Sequence, residues 1–175
     1  MAKVCLVMGE GKSERAFLES LLVKKFNFEM IVSRTIFRSP DNPGFFWLFP
    51  LPSYGESHTG GHDIFARPDT YITASTMAKN STWALGERPE LHYVVLGDTD
   101  TLDAPGMVNR EARINDTFNV LSLPHSSFDV SFAHKEIEAW FLAGLTPEFP
   151  YLSAHGRKKL VSMQAPESIH NPKEY

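Results

Sequence analysis

Two short apolar runs in this chain stop in the same way. Lys3–Met8 (KVCLVM) runs into Gly9-Glu10-Gly11, and Leu91–Leu96 (LHYVVL) runs into Gly97-Asp98-Thr99-Asp100. Apolar runs this short, rich in valine and leucine, fit strands buried on both faces of a parallel sheet. A glycine and an acid at each exit put carboxylates on turns. In an open α/β sheet, ligands bind at that carboxyl edge. Crowded carboxylates repel one another unless a cation sits between them, and a divalent metal ion is the simplest such cation.

The rest of the chain supplies the matching helices. Ser13 is placed to cap a helix running to about Lys25, with Phe17, Leu18, Leu21 and Leu22 as its inward stripe. Met30–Phe37 predicts the second strand. Residues 39–68 gather prolines and glycines around Phe45, Phe46, Trp47 and Phe49 and keep no period of 2 or 3.6. They read as a long inserted loop that is a lid, a dimer contact or simply packing. Pro68 opens a helix to about Asn80, with Asp69 near its cap. Leu91–Leu96 is the third strand and Met107–Val120 the next helix. Phe128–Ala133 is the fourth strand, followed by helices over Glu136–Ala143 and Ala154–Met163. This order predicts one domain over residues 1–175, an α/β fold with a mainly parallel sheet of about four strands and helices on both faces. The closing APESIHNPKEY reads as the start of another helix, with Asn171 as cap and Pro172 in first position; either the protein is short or the sequence is truncated at Tyr175.

Composition narrows the class. A chain of 175 residues, 42% hydrophobic, can build one real core. A net charge of -4 gives no overall positive field to collect nucleic acid. A phosphodiester substrate is then either small or delivered by a protein partner that supplies nucleic-acid affinity. The sole cysteine, Cys5, has no internal partner and reads as a small core residue in a reducing compartment. No stretch approaches the roughly 18 apolar residues of a membrane span, and the N-terminus lacks a signal-peptide layout. The expected location is the cytoplasm, with no membrane partner.

Several readings compete for the same residues. Gly11-Lys12-Ser13 after a strand looks like the end of a phosphate-binding loop. That motif needs a glycine where Leu6 stands, and Glu10 would point a negative charge at the bound anion. A degenerate P-loop is the weakest alternative. Asp98 and Asp100, two apart, share one face in extended backbone. If the first and third strands are neighbours, Glu10 converges on them; the bland reading is that all three are turn residues. His58 and His62 in SHTGGHD suit zinc only on a helix, which Gly60-Gly61 disfavours, and they lack a third ligand. No G-x-S-x-G elbow supports a serine hydrolase. Glu14 reads as an exposed first-turn acid, and Trp140 as core.

The pieces GEGKSERAFLESLL, VVLGDTD and FAHKEIEAWFLAG, in this order, resemble a small family of bacterial TOPRIM-like proteins. They share the fold of topoisomerases, primases and overcoming-lysogenization-type nucleases. The resemblance extends to PESIHNPKEY, and the Pro- and aromatic-rich insertion departs from it. It implies that Glu10, Asp98 and Asp100 hold Mg2+ or Mn2+ for cleavage of a nucleic acid or nucleotide. It also implies a role in defence against phage or mobile DNA. Glu136, at the start of its helix, either joins the metal shell or simply favours a helix N-terminus. Lys12 and Lys135 are placed to steady charge on a phosphate, or are solvated. The rival class is a non-catalytic adaptor that keeps the fold and binds through its aromatic loop.

Overall fold

The computed structural model describes residues 1–9, 12–50, 63–86, 88–98 and 104–133, with the backbone alone for Lys12, Ser13, Asp98 and Ala133. Its hub is β1 (Lys3–Gly9). Val4, Leu6 and Met8 face one core and Val7 faces a second, each at most 1% exposed. Burial on both faces is what the unbroken apolar run calls for. Cys5 is only half-buried, so it is less a core residue than the sequence suggests.

Helix α1 (Lys12–Ser20) starts one residue ahead of the expected cap. It ends in a wider π turn over Leu21–Lys25, closed by the Phe26 N–H donating to the Leu21 carbonyl at 3.2 Å. Leu18 and Leu22 are its buried residues against the sheet. The single strand expected over Met30–Phe37 is instead a hairpin, β2 (Glu29–Val32) and β3 (Ile36–Arg38), paired antiparallel. Its turn places Arg34 at a left-handed φ of 57°. Glu19 on α1 holds that turn, accepting from Arg34 Nε at 3.1 Å and from Arg15 Nε at 3.0 Å.

The segment read as a structureless insertion contains β4 (Phe45–Leu48), which pairs parallel with β1 and antiparallel with β3. Phe46, Leu48 and Phe49 are buried; Phe45 and Trp47 are half-buried. The aromatic cluster is therefore packing, not a lid or an exposed loop. A 3-10 turn (Ile64–Ala66) leads into α2 (Pro68–Asn80), whose bounds match the sequence reading, with Arg67 at its cap and Asp69 close by in the first turn. A short α3 (Thr82–Leu85) precedes β5 (Glu90–Asp98). Helix α4 (Ala104–Val120) and β6 (Ser127–Ala133) follow.

The six strands lie in the order β2-β3-β4-β1-β5-β6. The sheet is mixed, which overturns the expected mainly parallel sheet of about four strands. β4, β1, β5 and β6 run parallel, while the β2–β3 and β3–β4 steps are antiparallel. Antiparallel neighbours need only short turns, and strands of three or four residues carry too little period to be told apart in sequence.

Helices α2 and α4 cover one face through Tyr71, Ala74, Ala78, Ile114 and Phe118. Phe118 stacks on Phe128 of β6 with centroids 3.9 Å apart, and Tyr71 meets Phe118 edge-on at 5.3 Å. Helix α1 covers the other face, with Leu18 and Leu22 against Val7, Phe37, Phe49 and Leu96. The helices expected over Glu136–Ala143 and Ala154–Met163, and the one expected to open at Asn171, lie outside the described residues. Among the described residues no helix is long and apolar enough to cross a membrane.

Candidate functional site at the carboxyl edge

β1 and β5 are neighbours and parallel, with Gly9 opposite Leu96. They leave the sheet at the same edge, about 4.8 Å apart. β6 ends there too, with Ala133 opposite Asp98. The helix that follows β1 packs on one face, and the helix that follows β5 packs on the other. Adjacent strands whose outgoing helices take opposite faces leave a crevice between them, the switch point where open α/β sheets bind ligands. Convergence of Glu10 with Asp98 and Asp100 requires the first and third expected strands to be neighbours, and the backbone meets that condition.

Asp98 is the last residue of β5, and Lys12 the first of α1. Glu10, Asp100, Lys135 and Glu136 lie outside the described residues, as do His58, His62 and the zinc reading attached to them. Among the described residues no group of three or more His, Cys, Asp or Glu side chains is placed to hold a metal ion. Of the expected ligands Glu10, Asp98 and Asp100, none has its side chain among those described.

Glu14 is the residue the sequence reading misplaced. It is 3% exposed, not a solvated first-turn acid. It begins the buried stripe that Leu18 and Leu22 continue, at i, i+4 and i+8. That spacing was the available signal; the charge hid it. Its side chain folds back over the end of β1, where a Cβ built on Gly9 would lie 2.9 Å from the Glu14 Cβ. Gly9 is thus glycine because of a close approach. β1 ends at Gly9 and α1 begins at Lys12, which leaves only positions 10 and 11 between them. A loop that short cannot wrap a phosphate, so the P-loop reading loses its geometry.

A second polar row lies toward the amino ends of β5 and β6, away from this edge. His92 Nδ1 is 3.0 Å from Ser127 Oγ, and His92 Nε2 is 3.2 Å from a Glu90 carboxylate oxygen. Ser127 Oγ donates to Asp129 at 3.1 Å. Cys5 lies beside His92 in register. Burial, and then the charge of Asp129, push its thiol up to about 11. A thiol held protonated that far above neutrality is a poor nucleophile and a poor metal ligand. This row ties β5 and β6 together. Comparison with protein-family models, curated proteins and solved structures finds no match for this chain.

Proposed function

We propose that the chain is a Mg2+- or Mn2+-dependent, nuclease-like enzyme acting on phosphodiester bonds, with its metal held at the carboxyl edge of β1 and β5. One observation carries the reading. Two parallel neighbours, one ending at Gly9 with Glu10 next in sequence and one ending at Asp98 with Asp100 two residues on, finish together at a switch point, beside the buried Glu14. The resemblance of GEGKSERAFLESLL, VVLGDTD and FAHKEIEAWFLAG to TOPRIM-like proteins favours the same residues. A role in defence against phage or mobile DNA rests on that resemblance alone.

In this reading Glu10, Asp98 and Asp100 hold the cation. Glu14 lies buried beside the end of β1, next to the place where this cation would sit. A bound divalent ion would activate water and neutralise charge on the phosphoryl oxygens. Lys12 and Lys135 would steady the phosphate, and Glu136 would orient water or complete the shell. The net charge of -4 keeps the substrate a small nucleotide or a nucleic acid presented by a protein partner. The alternative is a non-catalytic adaptor or regulatory subunit that binds through its aromatic segment, where Phe46 and Phe49 are buried and Phe45 and Trp47 half-buried.

The test is a Mn2+ titration of the full chain. At about 100 times the Kd, binding should stabilise the fold by about 2.7 kcal/mol, read as a rise in Tm, and should support cleavage of DNA or RNA. Asp98→Asn should abolish both effects. It should also raise the Tm of the metal-free protein, because removing one of several crowded negative charges relieves repulsion. If wild type gains neither Tm nor cleavage with metal, and Asp98→Asn changes nothing, the reading is wrong.

A further inference from the structure

We infer that Arg110 is a positioning residue for the site at the carboxyl edge, an inference that rests on the metal reading above. Arg110 begins the buried stripe of α4, ahead of Ile114 and Phe118, and is 7% exposed. Its guanidinium forks onto Asp63. Nε donates to Oδ2 at 2.7 Å, and Nη2 donates to Oδ1 at 3.2 Å. Asp63 also accepts the Phe65 N–H at 3.1 Å, which caps the 3-10 turn, and Arg113 Nη2 stands 3.7 Å from Asp63 Oδ2. The guanidinium carbon lies 5.1 Å from the centroid of the Phe132 ring and 5.9 Å from that of Phe65.

These contacts draw on three elements: β6, the 3-10 turn and α4. Phe132 is the neighbour of Gly97 across the β5–β6 ladder, one residue before Asp98. Asp63 and Phe65 begin the chain that enters α2. Arg110 itself sits on α4, the helix that follows Asp98 and Asp100. One planar group therefore joins α4 to the 3-10 turn and to the carboxyl end of β6, the strand paired with β5 beside Asp98.

A buried ion pair of this kind adds little net stability, because desolvation offsets its attraction. What the bidentate fork adds is direction, since it accepts one geometry where a point charge accepts many. Acids that must close on one cation need their backbones fixed on that scale. Supporting groups around metal ligands commonly tune affinity without touching the ion.

The experiment uses the full chain with Arg110→Lys, which keeps the charge and loses the fork, and Asp63→Asn, which keeps the shape and loses the charge. Mn2+ affinity is measured by titration calorimetry, metal-free Tm by circular dichroism, and cleavage against Mn2+ concentration. Arg110→Lys should remain folded and bind Mn2+ about tenfold or more weakly. Half-maximal cleavage should shift to higher Mn2+ in step, and Asp63→Asn should do the same. A lowered Tm with unchanged Mn2+ affinity in both variants would make the pair purely structural and overturn the inference. If wild type binds Mn2+ and the variants match it, this inference alone fails. If wild type binds no Mn2+, the metal reading fails and takes this inference with it.

Discussion

Glu14 and Arg110 occupy equivalent places on different helices. Each opens a buried stripe near the helix end closest to the carboxyl edge, and two aliphatic or aromatic residues continue that stripe at i+4 and i+8. A charge in that position is discounted when a helix is read for its apolar face, because acids and arginines are rarely fully buried unless paired. The helical phase carried the information and the residue type masked it. Gly9 gives the matching test. Gly9→Ala would press a methyl group against the Glu14 stem at 2.9 Å. Overpacking of that kind costs about 1–3 kcal/mol. Urea denaturation should show that loss, and Mn2+ affinity should fall as Glu14 is displaced. Wild-type stability in Gly9→Ala would mean that Glu14 does not lean on the end of β1.

At the scale of elements, long periodic segments were legible and short strands were not. β1, β5, β6, α2 and α4 follow from apolar runs, helical spacing and a proline at a first helical position. β4 was missed because its four residues, FFWL, are apolar throughout and are flanked by prolines and Gly44. Alternation cannot show in so short a run, and proline density reads as loop. The β2–β3 hairpin was missed because its turn puts an arginine in the left-handed region, where glycine or asparagine is the usual sign. The status of β4 as a core strand is testable. Phe46 is 5% exposed and faces the core under α2 and α4. Phe46→Ala should destabilise the fold by about 3–5 kcal/mol in equilibrium denaturation, with a smaller loss for Trp47→Ala at its half-buried position. Equal, small losses would mean that the aromatic segment is peripheral.

For the whole molecule, the carboxyl edge was legible because a parallel strand's exit can be read from where its apolar run stops. The order of the strands was not, since it depends on crossovers between residues far apart in the chain. β1 ends up flanked by β4 on one side and β5 on the other. That placement has a consequence for synthesis. The first strand made is the one that finishes pairing late, because its second neighbour begins only at Glu90. At roughly 5–20 residues per second, β1 waits on the order of ten seconds between leaving the ribosome and meeting β5. Stalled nascent chains that end before Glu90 should be cut readily by protease. Resistance should appear only when β5 and its covering helix α4 have cleared the exit tunnel. Early resistance would mean that β1 folds against β4 alone. Until β5 arrives, β1 is an apolar strand with one open edge, the kind of surface that draws other chains into aggregates during synthesis.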